Sequence, residues 1–151
     1  MSAEILRPAK PGDREAIERL VEAAYGVYVE RIGRRPAPMD ADYAGLIGDG
    51  LVTVAERGGA VVGAIVLVPM DDHMLVENVV VDPAAQRTGV GRRLMMHAED
   101  GARALGLSDL RLYTNKHMVE NIAWYPRLGY RETERRAESG FGRVFFEKRL
   151  D

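Results

Sequence analysis

The sequence predicts an α/β fold of the α+β kind: a mixed, mostly antiparallel sheet of about six to seven strands with one parallel pair, flanked by about four helices. Three observations predict it. From Leu51 to Val81 three strand-like apolar runs follow one another with only short turns between them, so they are consecutive antiparallel strands. A helix-like run then separates the strand ending at Val81 from the run Leu110 to Thr114, and a helical crossover makes those two strands parallel. Finally, Tyr130 to Arg135 and Arg143 to Leu150 face each other across Gly140-Phe141-Gly142 as a hairpin. With 151 residues, 46% of them apolar, the chain has enough material for one core, and a single domain over residues 1–151 is expected.

Taken in order, Ile5-Leu6-Arg7-Pro8-Ala9 reads as a short first strand, and Pro11-Gly12-Asp13 as a turn ending in a helix cap. Ile17, Leu20, Val21, Ala24 and Tyr25 recur at helical spacing, so an amphipathic helix is expected from Asp13 to about Glu30. Arg31 to Pro38, basic and holding two prolines, is a loop, and Asp40 to Ile47 a weak second helix stopped by Gly48 and Gly50. The strands Leu51 to Glu56 and Ala60 to Val68 flank Arg57-Gly58-Gly59, and Met70-Asp71-Asp72-His73 leads into the strand Met74 to Val81. A helix begins near Arg92 and runs to about Leu105, with Gly106 at its end. A last short helix spans Glu120 to Leu128 and closes at Gly129.

Composition narrows the functional classes. The absence of cysteine removes disulfides, thiolate metal sites and a cysteine nucleophile. A net charge of -2 with the two signs interspersed offers no basic field for nucleic acid. No apolar run approaches a membrane span, and Met1-Ser2-Ala3-Glu4 lacks the basic and apolar regions of a signal peptide, so a cytoplasmic protein is expected. His73, His97 and His117 have no partner at metal-ligand spacing, and no metal is expected. His73 and His117 lie in connections, and His97 sits at a helix position expected to be exposed.

The chemistry concentrates in Gln86-Arg87-Thr88-Gly89-Val90-Gly91, between a strand and a helix start. Glycines let the backbone approach a ligand, and the unpaired N–H groups and dipole of a helix start favour an anion. Arg87, Arg92 and Arg93 crowd this start while Glu99 and Asp100 lie further along, an order that opposes the helix dipole unless an anion occupies the first turn. The competing reading is a solvated helix with a Glu99/Arg103 pair. A dinucleotide fold fails, because Leu94 stands at the third glycine position and only one strand-helix-strand unit exists. No Gly-Lys-Ser/Thr sequence is present, which excludes a P-loop.

Gln-x-x-Gly-x-Gly after a strand ending Val81-Asp82-Pro83 resembles the acetyl-CoA-binding motif of the GNAT superfamily of N-acetyltransferases. Asn121-Ile122-Ala123-Trp124-Tyr125-Pro126-Arg127-Leu128-Gly129-Tyr130 resembles that family's later motif, and the order of strands agrees with it. Pro126 departs from the pattern and should end or kink the helix beside Tyr125. The resemblance implies that the parallel strands splay, that Val79, Val80 and Val81 pair with pantetheine amides, and that Gln86 through Arg92 hold the diphosphate of acetyl-CoA. It implies Tyr125 as the general acid for the leaving thiolate; spacing alone reads Tyr125 as a core tyrosine beside Trp124. Asn121 either orients pantetheine or caps its helix.

Glu77, on one strand face with Leu75 and Val79, is the candidate base: in apolar surroundings it would have a raised pKa, whereas an ion pair with Arg111 would hold it inert. The expected acceptor is the primary amine of a small molecule, with a protein N-terminus or lysine, or a non-catalytic acetyl-CoA sensor, as alternatives. In the resembled family Tyr25, Tyr28 and Tyr43 fall where the acceptor pocket is walled. Arg34 and Arg35 in the basic loop either receive an acidic acceptor or are simply solvated. The resemblance and the hydrophobic last strand, with Val144, Phe145 and Phe146, point to a homodimer.

Overall fold

A computed structural model of the protein describes residues 4–151. Met1-Ser2-Ala3, read above for a leader, lie outside the described residues. The strands are β1 (Ile5–Pro8), β2 (Val52–Arg57), β3 (Ala60–Pro69), β4 (Met74–Val81), β5 (Asp109–Asn115), β6 (Arg131–Glu138) and β7 (Phe141–Arg149). The helices are α1 (Arg14–Tyr25), α2 (Tyr28–Ile32), α3 (Tyr43–Gly48), α4 (Val90–Ala104) and α5 (Val119–Arg127). The strands form one seven-stranded sheet in the order β1-β2-β3-β4-β5-β7-β6, mostly antiparallel, with β4 and β5 parallel. Among the described residues no helix is long and apolar enough to cross a membrane.

The chain divides into two compact units. The first takes the residues up to Leu67 with Asn78–His97. Its β1 and β2 pair with Ile5 opposite Glu56, and β2 and β3 close a hairpin over Gly58 and Gly59. Ile17, Leu20 and Val21 from α1, Val54 and Ile65 from the hairpin, and Val90 and Leu94 from α4 are all buried, as their spacing requires. The start of α4 lies close on β3 because residue 63 is glycine: a Cβ there would stand 3.0 Å from Val90 Cγ1, 3.1 Å from Leu94 Cδ1 and 3.2 Å from the Val80 carbonyl oxygen.

Two boundaries in this unit differ from expectation. The helix expected to reach Glu30 breaks after Tyr25, since the N–H of Val29 returns three residues to Gly26 rather than four, and glycine favours a helix poorly. Asp40 does not open the next helix. It pairs with Arg35, and Asp42 is the cap, accepting a bond from the Gly45 N–H at 3.1 Å.

The second unit takes Val68–Glu77 and Ala98–Asp151. Here β4 and β5 pair in parallel through Met74↔Leu110, Leu75↔Arg111 and Val76↔Leu112, and β5 pairs with β7 along its whole length, from Asp109↔Arg149 to Asn115↔Arg143. The last hairpin turns at Ser139 and Gly140 (φ 53° and 81°) rather than across Gly140-Phe141-Gly142, so Phe141 begins β7 as a buried side chain. Val144 and Phe146 are buried within this chain, and the Arg136 guanidinium lies 4.3 Å from the centre of the Phe145 ring. β6, charged and exposed along its length, forms the sheet edge.

Candidate functional site

The turn before α4 has the backbone of an anion cradle. Asp82 caps the short turn Pro83–Ala85 through the Ala84 N–H at 2.9 Å. The chain then enters the left-handed region twice, at Arg87 (φ 64°) and Gly89 (φ 93°). That conformation is costly for arginine, and at Gly89 it is open mainly to a residue without a Cβ. Helix α4 starts at Val90, two residues earlier than expected, and the Arg93 N–H closes its first turn on the Gly89 carbonyl at 3.0 Å. Among the described residues the N–H groups of Val90, Gly91 and Arg92 have no protein partner, as befits a first helical turn. These residues fit a phosphate group: an open backbone, unspent donors and a positive dipole end.

The three arginines read together from the sequence separate in the structure. Arg93 is not available to a ligand, because it donates to both the carboxylate and the main-chain oxygen of Glu4. Arg87 and Arg92 are exposed and have no ion-pair partner among the described residues. Further along α4, Glu99 lies 3.9 Å from Arg103, as the competing reading required, and 2.9 Å from Lys148. The later acids of the helix are thus paired, while Arg87 and Arg92 at its start have no ion-pair partner among the described residues.

Elsewhere in the first unit, Asn78 is 9% exposed and joins two tyrosines. The Tyr25 hydroxyl donates to Asn78 Oδ1 at 2.6 Å, Asn78 Nδ2 donates to the Tyr43 hydroxyl at 3.1 Å, and that hydroxyl donates to the Pro38 carbonyl at 2.6 Å. This chain of bonds ties α1, the basic loop and α3 to β4. Tyr28 is buried, with the Arg31 guanidinium 5.0 Å from its ring centre. Arg34 is exposed. Arg35 is taken up by Glu22 and Asp40, each at 3.0 Å, and these carboxylates, Glu22 first, hold its pKa above the usual arginine value. It braces the loop rather than waiting for an acid. His97, expected exposed, is half-buried with Nε2 3.2 Å from the Thr53 hydroxyl.

In the second unit Glu77 is exposed, so the apolar surroundings expected for it are not found. Nor does Arg111 neutralise it; that guanidinium lies 3.8 Å from Asp72 and from Asp109. Glu77 instead accepts a long hydrogen bond, 3.4 Å, from the Tyr113 hydroxyl. Burial, and next the charge of Glu77, raise the Tyr113 pKa. Tyr125 is 5% exposed, packed among Trp124, Phe146 and Tyr130 with ring centres 5.2, 5.6 and 6.0 Å away. Burial drives its pKa well above the ordinary tyrosine value, so its hydroxyl is protonated at neutral pH. Pro126 does not cut α5 short: the helix continues to Arg127, with the one i→i−4 bond that a proline cannot make left out. Asn121 is not a cap. It lies inside α5 and sends Nδ2 back to the Thr114 hydroxyl at 3.4 Å.

Residues 15–130 match the Acetyltransferase (GNAT) family. The chain belongs to that family. An IAA acetyltransferase of Azospirillum brasilense is 40% identical to it over 79 residues, 51% of this chain and 52% of the relative, so the chain spans about half the length of the curated relative it matches. Among solved structures, the PaiA N-acetyltransferase of Thermoplasma acidophilum in complex with coenzyme A superposes with a TM-score of 0.83 at 14% identity, covering 98% of this chain and 99% of that one. An IAA acetyltransferase of Bacillus cereus gives 0.72 at 24% identity, covering 98% and 100%. At those identities the likeness is one of fold. Within this GNAT chain, Asn78 is the residue that reading for motifs missed. A signal was present: an amide in line with the inward Met74, Val76 and Val80 needs partners.

Proposed function

We propose that this GNAT protein transfers the acetyl group of acetyl-CoA to a primary amine of a small molecule, directly and without a covalent enzyme intermediate. The left-handed turn at Arg87 and Gly89, opening onto the first turn of α4 with two unpaired arginines, carries this reading. Gln86 through Arg92 hold the diphosphate by backbone N–H groups, and the main chain of Val79, Val80 and Val81 takes the pantetheine amides. Asn121 orients the pantetheine arm. When bound, acetyl-CoA supplies an acyl group activated as a thioester, with a thiolate as leaving group.

The protein's own residues move the protons. An alkylammonium has a pKa near that of lysine, about 10.4, and cannot attack until it loses a proton; Glu77, exposed and reachable through water, accepts it. As the new C–N bond forms and the C–S bond breaks, the Tyr125 hydroxyl gives its proton to the departing sulfur, and the second proton that the nitrogen sheds on becoming an amide leaves through water. An acid buried this deeply is still protonated when it is needed. Tyr28 and Arg34 contribute to the acceptor side.

The test is release of free thiol from acetyl-CoA with a panel of small amines, for the unsubstituted protein and for Tyr125→Phe. Thiol release that depends on an added amine and falls roughly 100-fold in the variant supports the mechanism. Unchanged release in Tyr125→Phe removes the acid assignment. Coenzyme A binding with no amine-dependent release makes the protein a sensor instead.

A further inference from the structure

We propose that Arg57, at the end of β2, positions the diphosphate-binding turn, acting through Thr88; this rests on the acetyl-CoA reading above. Register brings the parts together. Ile5 pairs with Glu56, so Glu4 stands one step out, beside Arg57. The Glu4 carboxylate, only 8% exposed, accepts from Arg57 Nη2 and from Arg93 Nη1. The same Nη2 of Arg57 donates to the Thr88 hydroxyl at 3.1 Å. That hydroxyl in turn donates to the Ala85 carbonyl, which closes the four-residue turn containing Gln86 and Arg87.

The consequence lies in Arg87, whose φ of 64° is unfavourable for a residue with a side chain and persists only where its surroundings impose it. The Thr88–Ala85 bond imposes it from inside the turn, and Arg57 fixes the Thr88 hydroxyl from outside by taking its lone pair. Glu4 fixes Arg57 in turn by accepting one of the two Nη2 hydrogens, so that the other is aimed at Thr88. The cradle is thereby formed before the anion arrives, and ordering the turn costs the ligand less. Arg57 touches no reacting atom; it is a positioning residue for the diphosphate.

The experiment is a double-substitution cycle read by calorimetric binding of coenzyme A, with thermal melting of each variant alongside. Arg57→Gln and Thr88→Val are each expected to weaken binding about tenfold, since each removes the charge-assisted Arg57–Thr88 bond. Acting through one contact, the two together should weaken it no further than the worse single variant. Arg57→Lys, which keeps a donor and the charge, should restore affinity to within about threefold. Additive losses would show that Arg57 acts only as a distant positive charge, and unchanged affinity with a lowered melting temperature would show a purely structural role; either overturns the proposal. If the unsubstituted protein does not bind coenzyme A, the reading of the site falls, and this inference with it.

Discussion

Gly63→Ala tests whether α4 is seated as tightly on β3 as the cradle requires. The new methyl would lie 3.0 Å from Val90 Cγ1, 3.1 Å from Leu94 Cδ1 and 3.2 Å from the Val80 carbonyl oxygen, all closer than ordinary contact. Val90 and Leu94 are fully enclosed and the third neighbour is main chain, so relief must come from moving the helix. Overpacking of this kind costs about 1–3 kcal/mol. Alanine also removes freedom from the unfolded chain, which stabilises by about 0.4–1 kcal/mol because the backbone at residue 63 is not left-handed. Overpacking wins, for a net loss of roughly 0.5–2 kcal/mol. In a chain of this size that lowers Tm by about 1–8 °C, and the urea midpoint should fall with m unchanged. Because the displaced residues form the first turn of α4, coenzyme A binding should weaken too. A Gly63→Ala protein as stable as its parent, with equal affinity, would refute the tight seating of the helix.

Other outcomes follow from single contacts. The Glu4 pKa is lowered from 4.5 to about 2, first by its bond from Arg57; a depressed carboxylate adds stability above its unfolded pKa and loses it on acidification, so Glu4→Gln should flatten the fall in unfolding free energy between pH 4.5 and about 2. Asn78→Ala should cost roughly 1–3 kcal/mol in urea unfolding, since the Tyr25 and Tyr43 hydroxyls each lose a buried partner. Because burial raises the Tyr125 pKa, amine-dependent thiol release should show no loss from Tyr125 ionisation up to about pH 10, the ordinary tyrosine value; a descending limb below that, abolished in Tyr125→Phe, would contradict the buried acid.

Local signals accounted for most of the elements. Apolar runs separated by short turns gave away β2, β3 and β4, the helical crossover forced β4 and β5 to be parallel, and the spacing of Ile17, Leu20 and Val21 marked the inner face of α1. The misses were places where a distant partner decides. Nothing near Arg35 announces that Glu22, on α1, will claim it, and nothing near Glu77 tells that its position on β4 is open to solvent. The break after Tyr25 depended on how one N–H is shared within a turn, a matter of geometry below the resolution of periodicity.

The amino-acid sequence by itself determined the order of strands and helices and the glycine-bearing turn that makes an anion cradle, because these depend on residues near one another in the chain. Only the tertiary structure decided which charges remain free. Arg87, Arg92 and Arg93 are equivalent in the sequence, yet Arg93 is bound by Glu4, 89 residues away, while the other two stay open at the start of α4. Ion pairing depends on separation in space, and only the folded sheet, by bringing Glu4 beside Arg57 and Arg93, sets those distances.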